Sequence, residues 1–212
     1  MSETIVYKEL NPSRWPAFKE LFGARGACGG CWCMWWRVER GGKLWEETKG
    51  QRAKARMKKL VASGKASGII AFDGKKPVGW CSFGPRTDFP RIETVKAYRR
   101  DDTANVWCIN CFFIARSHRG QGVARGLIRA AVETMAKRKV RIIEGYPVTK
   151  THDGKTLAAA FSWTGPLVIF EELGFAEVQR LAATKPLVRL KLGNTAGKRK
   201  RQRWKSRCAR RS

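Results

Sequence analysis

A glycine-rich segment in the second half of the chain has the residue types and spacing to hold a phosphate group. It reads Arg119-Gly120-Gln121-Gly122-Val123-Ala124, and it joins an apolar stretch, residues 106–114, to an amphipathic one, residues 121–138. A strand that turns into a glycine-rich helix start directs backbone N–H groups and the positive end of the helix dipole toward one point. The segment therefore predicts a pyrophosphate site.

Two other phosphate-binding loops are excluded by single positions. A dinucleotide-binding fingerprint requires a glycine three residues after Gly122, where this chain has Arg125. Residues 153–156 read Asp-Gly-Lys-Thr and resemble the end of a P-loop, but the earlier glycine that a P-loop requires is Thr149 here.

The apolar pattern predicts the elements that position the glycine-rich segment. An Asp73-Gly74 pair between two apolar runs predicts a β-hairpin. Apolar residues at helical spacing predict a basic helix over residues 44–63 and a second helix over residues 121–138. The full order is β-α-α-β-β-β-α-β-α-β-β, which predicts an α/β domain with a mixed sheet.

The glycine-rich segment resembles the pyrophosphate signature of the GNAT family of N-acetyltransferases, Gln/Arg-x-x-Gly-x-Gly/Ala after the fourth strand. Residues 170–175, Phe-Glu-Glu-Leu-Gly-Phe, resemble the family's Tyr-x-x-x-Gly-Phe. The Cys-Trp-Cys-Met-x-Trp of residues 31–36 and the Tyr-Pro-Val of residues 146–148 are similar to a bacterial branch of that family. The resemblance covers residues 4–192. It implies a mixed, mostly antiparallel central sheet flanked by helices, and acetyl-CoA-dependent acetylation of an amine acceptor, either a small molecule or a protein.

The resemblance also implies which residues hold acetyl-CoA. The backbone of Phe112, Phe113 and Ile114 would pair with the pantetheine arm like an added strand, and Arg119 or Arg125 would neutralise the phosphates. The pyrophosphate would be held by the amides of Gly120, Gln121, Gly122, Val123 and Ala124. Members of the family transfer the acetyl group directly, with one group removing a proton from the acceptor and another protonating the leaving thiolate.

The chain departs from the family at the positions of these two groups. Cys108 stands where the basic glutamate of histone-type members lies, Phe170 replaces the acidic tyrosine, and Trp163 replaces an asparagine. Glu144 is the one acid in the fifth strand and is the predicted base; its alternative interpretation is a solvent-facing strand residue. Tyr146 is the predicted acid, with a half-buried packing aromatic as the alternative.

Seven cysteines, an odd number, point to reduced thiols. The trio Cys28, Cys31 and Cys33 together with Cys108 and Cys111 resembles two halves of a zinc site. Cys108 and Cys111 are three apart in a strand, which places their side chains on opposite faces. We therefore predict no metal site but a wall of cysteines and tryptophans that lines the acceptor pocket and suits a flat or cationic group. The tryptophans of that wall are Trp32, Trp35 and Trp36.

The charge is strongly positive, with 44 Lys and Arg against 17 Asp and Glu and a net charge of +27. Residues 198–212 hold nine of these basic residues and no acid. We predict an acetyltransferase domain over residues 1–192 and a disordered basic tail over residues 193–212 that contacts RNA or DNA non-specifically. The charge and the missing catalytic residues leave one alternative function open, a non-enzymatic nucleic-acid-binding protein on an acetyltransferase fold.

The chain has no apolar run of about 18 residues and no secretory signal at its start, so a cytoplasmic protein is expected. The sequence favours neither a monomer nor a homodimer.

Overall fold

The computed structural model describes residues 4–39, 42–149 and 163–193. In these ranges seven strands form one sheet in the order β1-β2-β3-β4-β5-β7-β6. The strands are β1 (Val6–Glu9), β2 (Ser67–Asp73), β3 (Lys76–Pro85), β4 (Val106–Ile114), β5 (Ile142–Gly145), β6 (Ala176–Ala182) and β7 (Lys185–Lys191). The β4–β5 pair is parallel and the other pairs are antiparallel, which confirms the predicted fold class.

Six α-helices flank the sheet in the same ranges. They are α1 (Trp15–Phe22), α2 (Gly42–Thr48), α3 (Gln51–Ala62), α4 (Pro90–Thr94), α5 (Val123–Lys137) and α6 (Leu167–Glu172). The predicted helix over residues 121–138 is α5, and its apolar residues lie in the core against β2 and β3. The prediction of one continuous helix over residues 44–63 is wrong. The chain leaves the helical conformation at Gly50, which has a φ of +74° and separates α2 from α3. None of the helices in the described ranges is long and apolar enough to cross a membrane.

An irregularity in β4 creates the opening in the sheet. Ser82 pairs with Cys111 and Phe83 pairs with Ile109, so Asn110 is an extra residue that bulges out of β4. The pairing of β4 with β5 ends one residue earlier, at Ile109 and Gly145. Residues 110–114 of β4 therefore separate from β5 and leave a gap between the two strands.

Most of the predicted basic tail, residues 194–212, lies outside the described residues, so the division at residue 192 stays a prediction.

Candidate active site

The gap between β4 and β5 is bridged by a short segment that follows residue 162. The Phe112 amide donates to the Trp163 carbonyl oxygen at 2.6 Å, and the Val148 amide donates to the Gly165 carbonyl oxygen at 2.9 Å. The Phe112 amide thus points away from β3 and into the gap. Since backbone groups alternate along a strand, Ile114 presents its amide on the same side, whereas Phe113 directs its backbone toward β3. Of the three residues predicted to contact the pantetheine arm, Phe112 and Ile114 direct their amides into the gap, whereas Phe113 can contribute its side chain but not its backbone.

Two cavities adjoin at this gap. The larger, which we call the thiol cavity, has a volume of about 640 Å³. Its lining includes Cys28, Cys31, Cys33, Cys111, Phe112, Phe113, Ile114 and Arg119. The smaller, which we call the aromatic cavity, has a volume of about 240 Å³. Its lining includes Trp35, Trp36, Arg91, Tyr98, Tyr146, Trp163 and Lys185. Trp35 and Trp163 line both cavities, so the two meet at these rings.

The predicted pyrophosphate turn begins directly after β4. Gly120 and Gly122 have φ values of +74° and +78°, and a side chain added at either position would meet nothing within 4 Å. The five amides of residues 120–124 have no backbone acceptor among the described residues, because they precede or begin α5. The turn therefore presents a set of free N–H groups at a helix N-terminus.

The two arginines of the turn differ in their partners. Arg125 forms an ion pair with Glu172, its Nε lying 2.9 Å from the carboxylate. Arg119 donates from its Nε to the Ile114 carbonyl oxygen at 3.1 Å and lines the thiol cavity. Between the two predicted cations, the arrangement favours Arg119 for a ligand that enters the gap.

Glu144 is fully buried, so the alternative interpretation as a solvent-facing residue is wrong. Its strand lies between β4 and β7, which place Cys108 and Arg189 beside it. One carboxylate oxygen accepts from Arg189 Nε at 2.9 Å; the other accepts from Arg86 Nη1 at 2.5 Å and from the Tyr146 hydroxyl at 2.6 Å. Both oxygens therefore already have donors.

Tyr146 connects this buried carboxylate to the aromatic cavity. Its ring lines the cavity, and its hydroxyl lies 3.4 Å from Cys108 Sγ. Burial raises the pKa of Tyr146 well above its usual value, and burial also raises the pKa of Cys108. Both groups are therefore protonated near neutral pH. Phe170, at the position of the family's tyrosine, is buried in the core against Phe175.

On the other side of the gap, Cys33 and Cys111 hydrogen bond through their side chains. That bond lowers the pKa of Cys33 to about 7 despite its burial, with help from the Trp80 indole N–H, 3.2 Å from Sγ. Burial instead raises the pKa of Cys31 to about 11. The conformation of Cys33 is unusual for a non-glycine residue, with a φ of +61°.

The predicted placement of Cys108 and Cys111 on opposite faces is wrong, because the bulge at Asn110 restores both to one face of β4, where they pack in the same cluster. The two thiols nevertheless have different partners, Tyr146 for Cys108 and Cys33 for Cys111. Among the described residues no group of three or more His, Cys, Asp or Glu side chains could hold a metal ion.

The cysteine and tryptophan wall is found in part. Cys28, Cys31, Cys33 and Trp35 line the thiol cavity. Trp35 and Trp36 line the aromatic cavity. Trp32 does not take part, since it is buried and stacks on Phe22.

Sequence reasoning missed Tyr98, Arg86 and Arg189 as parts of the site. No local pattern distinguishes them from surface residues. Arg189, opposite Glu144 in the register of β5 and β7, needed the strand pairing to be recognised.

The chain matches the sequence model of the Acetyltransferase (GNAT) family over residues 32–154. No curated protein matches it. Among solved structures, a GCN5-related N-acetyltransferase from Kribbella flavida is 17% identical with a TM-score of 0.54, over 89% of this chain and 98% of that one. The PaiA N-acetyltransferase of Thermoplasma acidophilum, solved with coenzyme A, is 11% identical with a TM-score of 0.52, over 89% and 99%. An N-acetyltransferase from Staphylococcus aureus is 8% identical with a TM-score of 0.53, over 90% and 100%. At these identities the likeness is one of fold.

Proposed function

The chain belongs to the acetyltransferase (GNAT) family, and on that premise we propose that it is an acetyl-CoA-dependent N-acetyltransferase that transfers the acetyl group directly to an amine. The observation that carries the proposal is the turn of residues 120–124, whose amides have no backbone acceptor among the described residues and stand at the N-terminus of a 15-residue helix. Such a site is built for an anion, and a pyrophosphate offers several oxygens to it.

The gap beside the turn suits the rest of the cofactor. We propose that the pantetheine arm runs along residues 112–114 of β4 in the gap, with Phe112 and Ile114 supplying backbone contacts and Phe113 supplying its ring. Because the Phe112 amide donates to the Trp163 carbonyl oxygen, cofactor binding would exchange this bond for one to the cofactor. Arg119 would reach the phosphates from the wall of the thiol cavity.

The catalytic roles of Glu144 and Tyr146 stay predictions. The geometry indicates which of the two residues would contact the substrates. Tyr146 lines the aromatic cavity, whereas Glu144 lies behind it and accepts the Tyr146 hydroxyl hydrogen. Glu144 would therefore act on the acceptor through Tyr146 and not by direct contact. When the thioester breaks, the Tyr146 hydroxyl is the protonated group available to the leaving thiolate.

Calorimetric titration of the full chain with acetyl-CoA tests the cofactor site. We expect binding with a dissociation constant below about 1 mM, and its loss in the Gly122→Glu variant, whose carboxylate would repel the pyrophosphate. Gly64→Glu is the matched control, because Gly64 also has a positive φ of +71° and open space around it. Absence of binding by the unaltered protein, or equal binding by both variants, would reject the proposal.

A further inference from the structure

The aromatic cavity has the size and lining of a site for a small flat molecule. The rings of Trp35, Trp36, Tyr98, Tyr146 and Trp163 line it. Trp36 lies at the centre of this group, with ring centroids 5.9, 5.7 and 5.5 Å from those of Tyr98, Tyr146 and Trp163. The volume of about 240 Å³ is just below the range of about 300–1,000 Å³ typical of sites for drug-sized ligands. It admits a single substituted ring, which aromatic side chains contact face to face or edge to face.

The charged residues in the described lining of the cavity are both positive. Lys185 and Arg91 line it, and Arg91 stacks its guanidinium 3.8 Å from the centroid of Trp35. Among the described residues of the lining, none is Asp or Glu. The buried carboxylate of Glu144 is bonded to Arg86 and Arg189 and lies behind Tyr146. A polycation would be repelled here, whereas a carboxylate would be attracted.

Among the described residues of the site, no free base reaches the cavity directly. The family's base position is Cys108, whose pKa is raised by burial, and the pKa of Tyr146 is raised in the same way. Both oxygens of Glu144 already accept hydrogen bonds. An alkyl amine arrives at neutral pH as an ammonium, which must lose a proton before it can attack. An amino group attached directly to an aromatic ring is uncharged at neutral pH and needs no such step.

We propose that the aromatic cavity is the acceptor site and that its acceptor is a small aromatic amine that carries a carboxylate. This inference rests on the proposed function and specifies its substrate. The amine nitrogen attacks the carbonyl carbon of acetyl-CoA, a C–N bond forms, and the C–S bond of the thioester breaks. The proton lost from nitrogen ends on the departing sulfur, so that an N-acetyl aromatic carboxylate and coenzyme A thiol are the only products.

A panel of four amines tests the three features that we expect the cavity to select: an aromatic ring, a carboxylate and an uncharged amine. 4-Aminobenzoate has all of them, aniline lacks the carboxylate, and 4-(aminomethyl)benzoate has a protonated amine. 6-Aminohexanoate has a protonated amine and also lacks the ring, so its comparison with 4-(aminomethyl)benzoate isolates the ring. Spermidine is added as a polycation. Acetylated product is measured by chromatography and mass spectrometry with the full chain. We expect 4-aminobenzoate to have the highest kcat/KM, and 4-(aminomethyl)benzoate to exceed 6-aminohexanoate about 30-fold for the buried ring.

A single surface variant tests the charge. Lys185→Gln should raise KM for 4-aminobenzoate about two- to fivefold, as the loss of an exposed ionic contact does, and should leave KM for aniline unchanged. Lys191→Gln is the matched control, since Lys191 ends the same strand, is exposed and does not line the cavity.

The outcomes separate this inference from the proposed function. If acetyl-CoA binds and spermidine or 6-aminohexanoate is the preferred acceptor, or if no member of the panel is acetylated, the inference is wrong while acetyl-CoA binding still supports the proposed function. If acetyl-CoA does not bind, both are wrong. Preference for 4-aminobenzoate with a KM change confined to Lys185→Gln supports both.

Discussion

The glycine turn of residues 120–124 and the Glu144 cluster, which comprises Glu144, Tyr146, Arg86 and Arg189, treat polar groups in opposite ways. The turn leaves five backbone amides without a backbone acceptor among the described residues. The Glu144 cluster gives both oxygens of its carboxylate a donor in the interior of the sheet. Unpaired polar groups at a surface are available to bind a ligand, whereas hydrogen-bonded polar groups in the interior hold their side chains in one arrangement. The first region is thus suited to binding, and the second to holding Tyr146 in place.

The largest expected effect comes from breaking the paired region. Glu144→Gln would leave Arg86 and Arg189 without the charge between them, and loss of one partner of a buried ion pair costs about 3–5 kcal/mol. We expect that decrease in the free energy of unfolding, measured by urea denaturation. Glu171→Gln is the control, since Glu171 is exposed. A loss below about 1 kcal/mol would mean that the cluster does not hold the site together.

The Glu144→Gln variant also tests the catalytic role of Glu144, provided that the variant protein remains folded. Removal of a working acid–base group lowers kcat by about 10²–10⁴-fold. Full activity of folded Glu144→Gln across the pH range would refute the predicted role of Glu144, even if stability falls.

Tyr146→Phe sharpens the comparison by removing the hydroxyl that donates to Glu144 and accepts from Arg86, and it removes no charge. We expect a loss of about 1.5–3 kcal/mol in the free energy of unfolding, because the hydroxyl is bonded to charged groups while Glu144 keeps its arginine partners. If Tyr146 protonates the thiolate, kcat falls while KM for acetyl-CoA is unchanged. An unchanged kcat would identify Tyr146 as a packing aromatic only.

The thiol cavity provides a pH-dependent readout of the binding region. Because the pKa of Cys33 is lowered to about 7, its thiolate fraction grows as pH rises through 7. We expect the rate of alkylation at Cys33 to rise between pH 6 and about pH 8 and then level off. Cys31, with a pKa of about 11, should still be accelerating at pH 9. Peptide mass mapping after pulses of iodoacetamide distinguishes the two, and coincident profiles would contradict the assignment.

The smallest expected effect is that of the tail on the cofactor site. Truncation after Leu192 should leave acetyl-CoA affinity unchanged, because the turn and the sheet precede that residue. The same truncation should weaken RNA binding, since nine basic residues are lost. Calorimetry and a salt-dependent RNA-binding assay measure the two effects. Loss of acetyl-CoA binding would place the tail in the active site.

Local sequence patterns were sufficient to predict the glycine turn before α5 and α5 itself. Gly120 and Gly122 occupy the positive-φ positions of the turn, and the apolar spacing after them sets the helix face that meets the sheet. These features depend on near neighbours in the chain, so periodicity and glycine placement reveal them. The order of elements likewise predicted the mixed sheet.

Long-range pairing decided the rest, and no local pattern reports it. The bulge at Asn110 places Cys108 and Cys111 on one face of β4. The register of β5 with β7 brings Arg189 to Glu144, and the Trp163 carbonyl reaches the Phe112 amide across the gap. A buried carboxylate is stable only where its partners converge from separate elements. Whether Glu144 faces water or arginine was therefore determined by the tertiary structure, while the sequence by itself had already determined where the chain turns to present its amides.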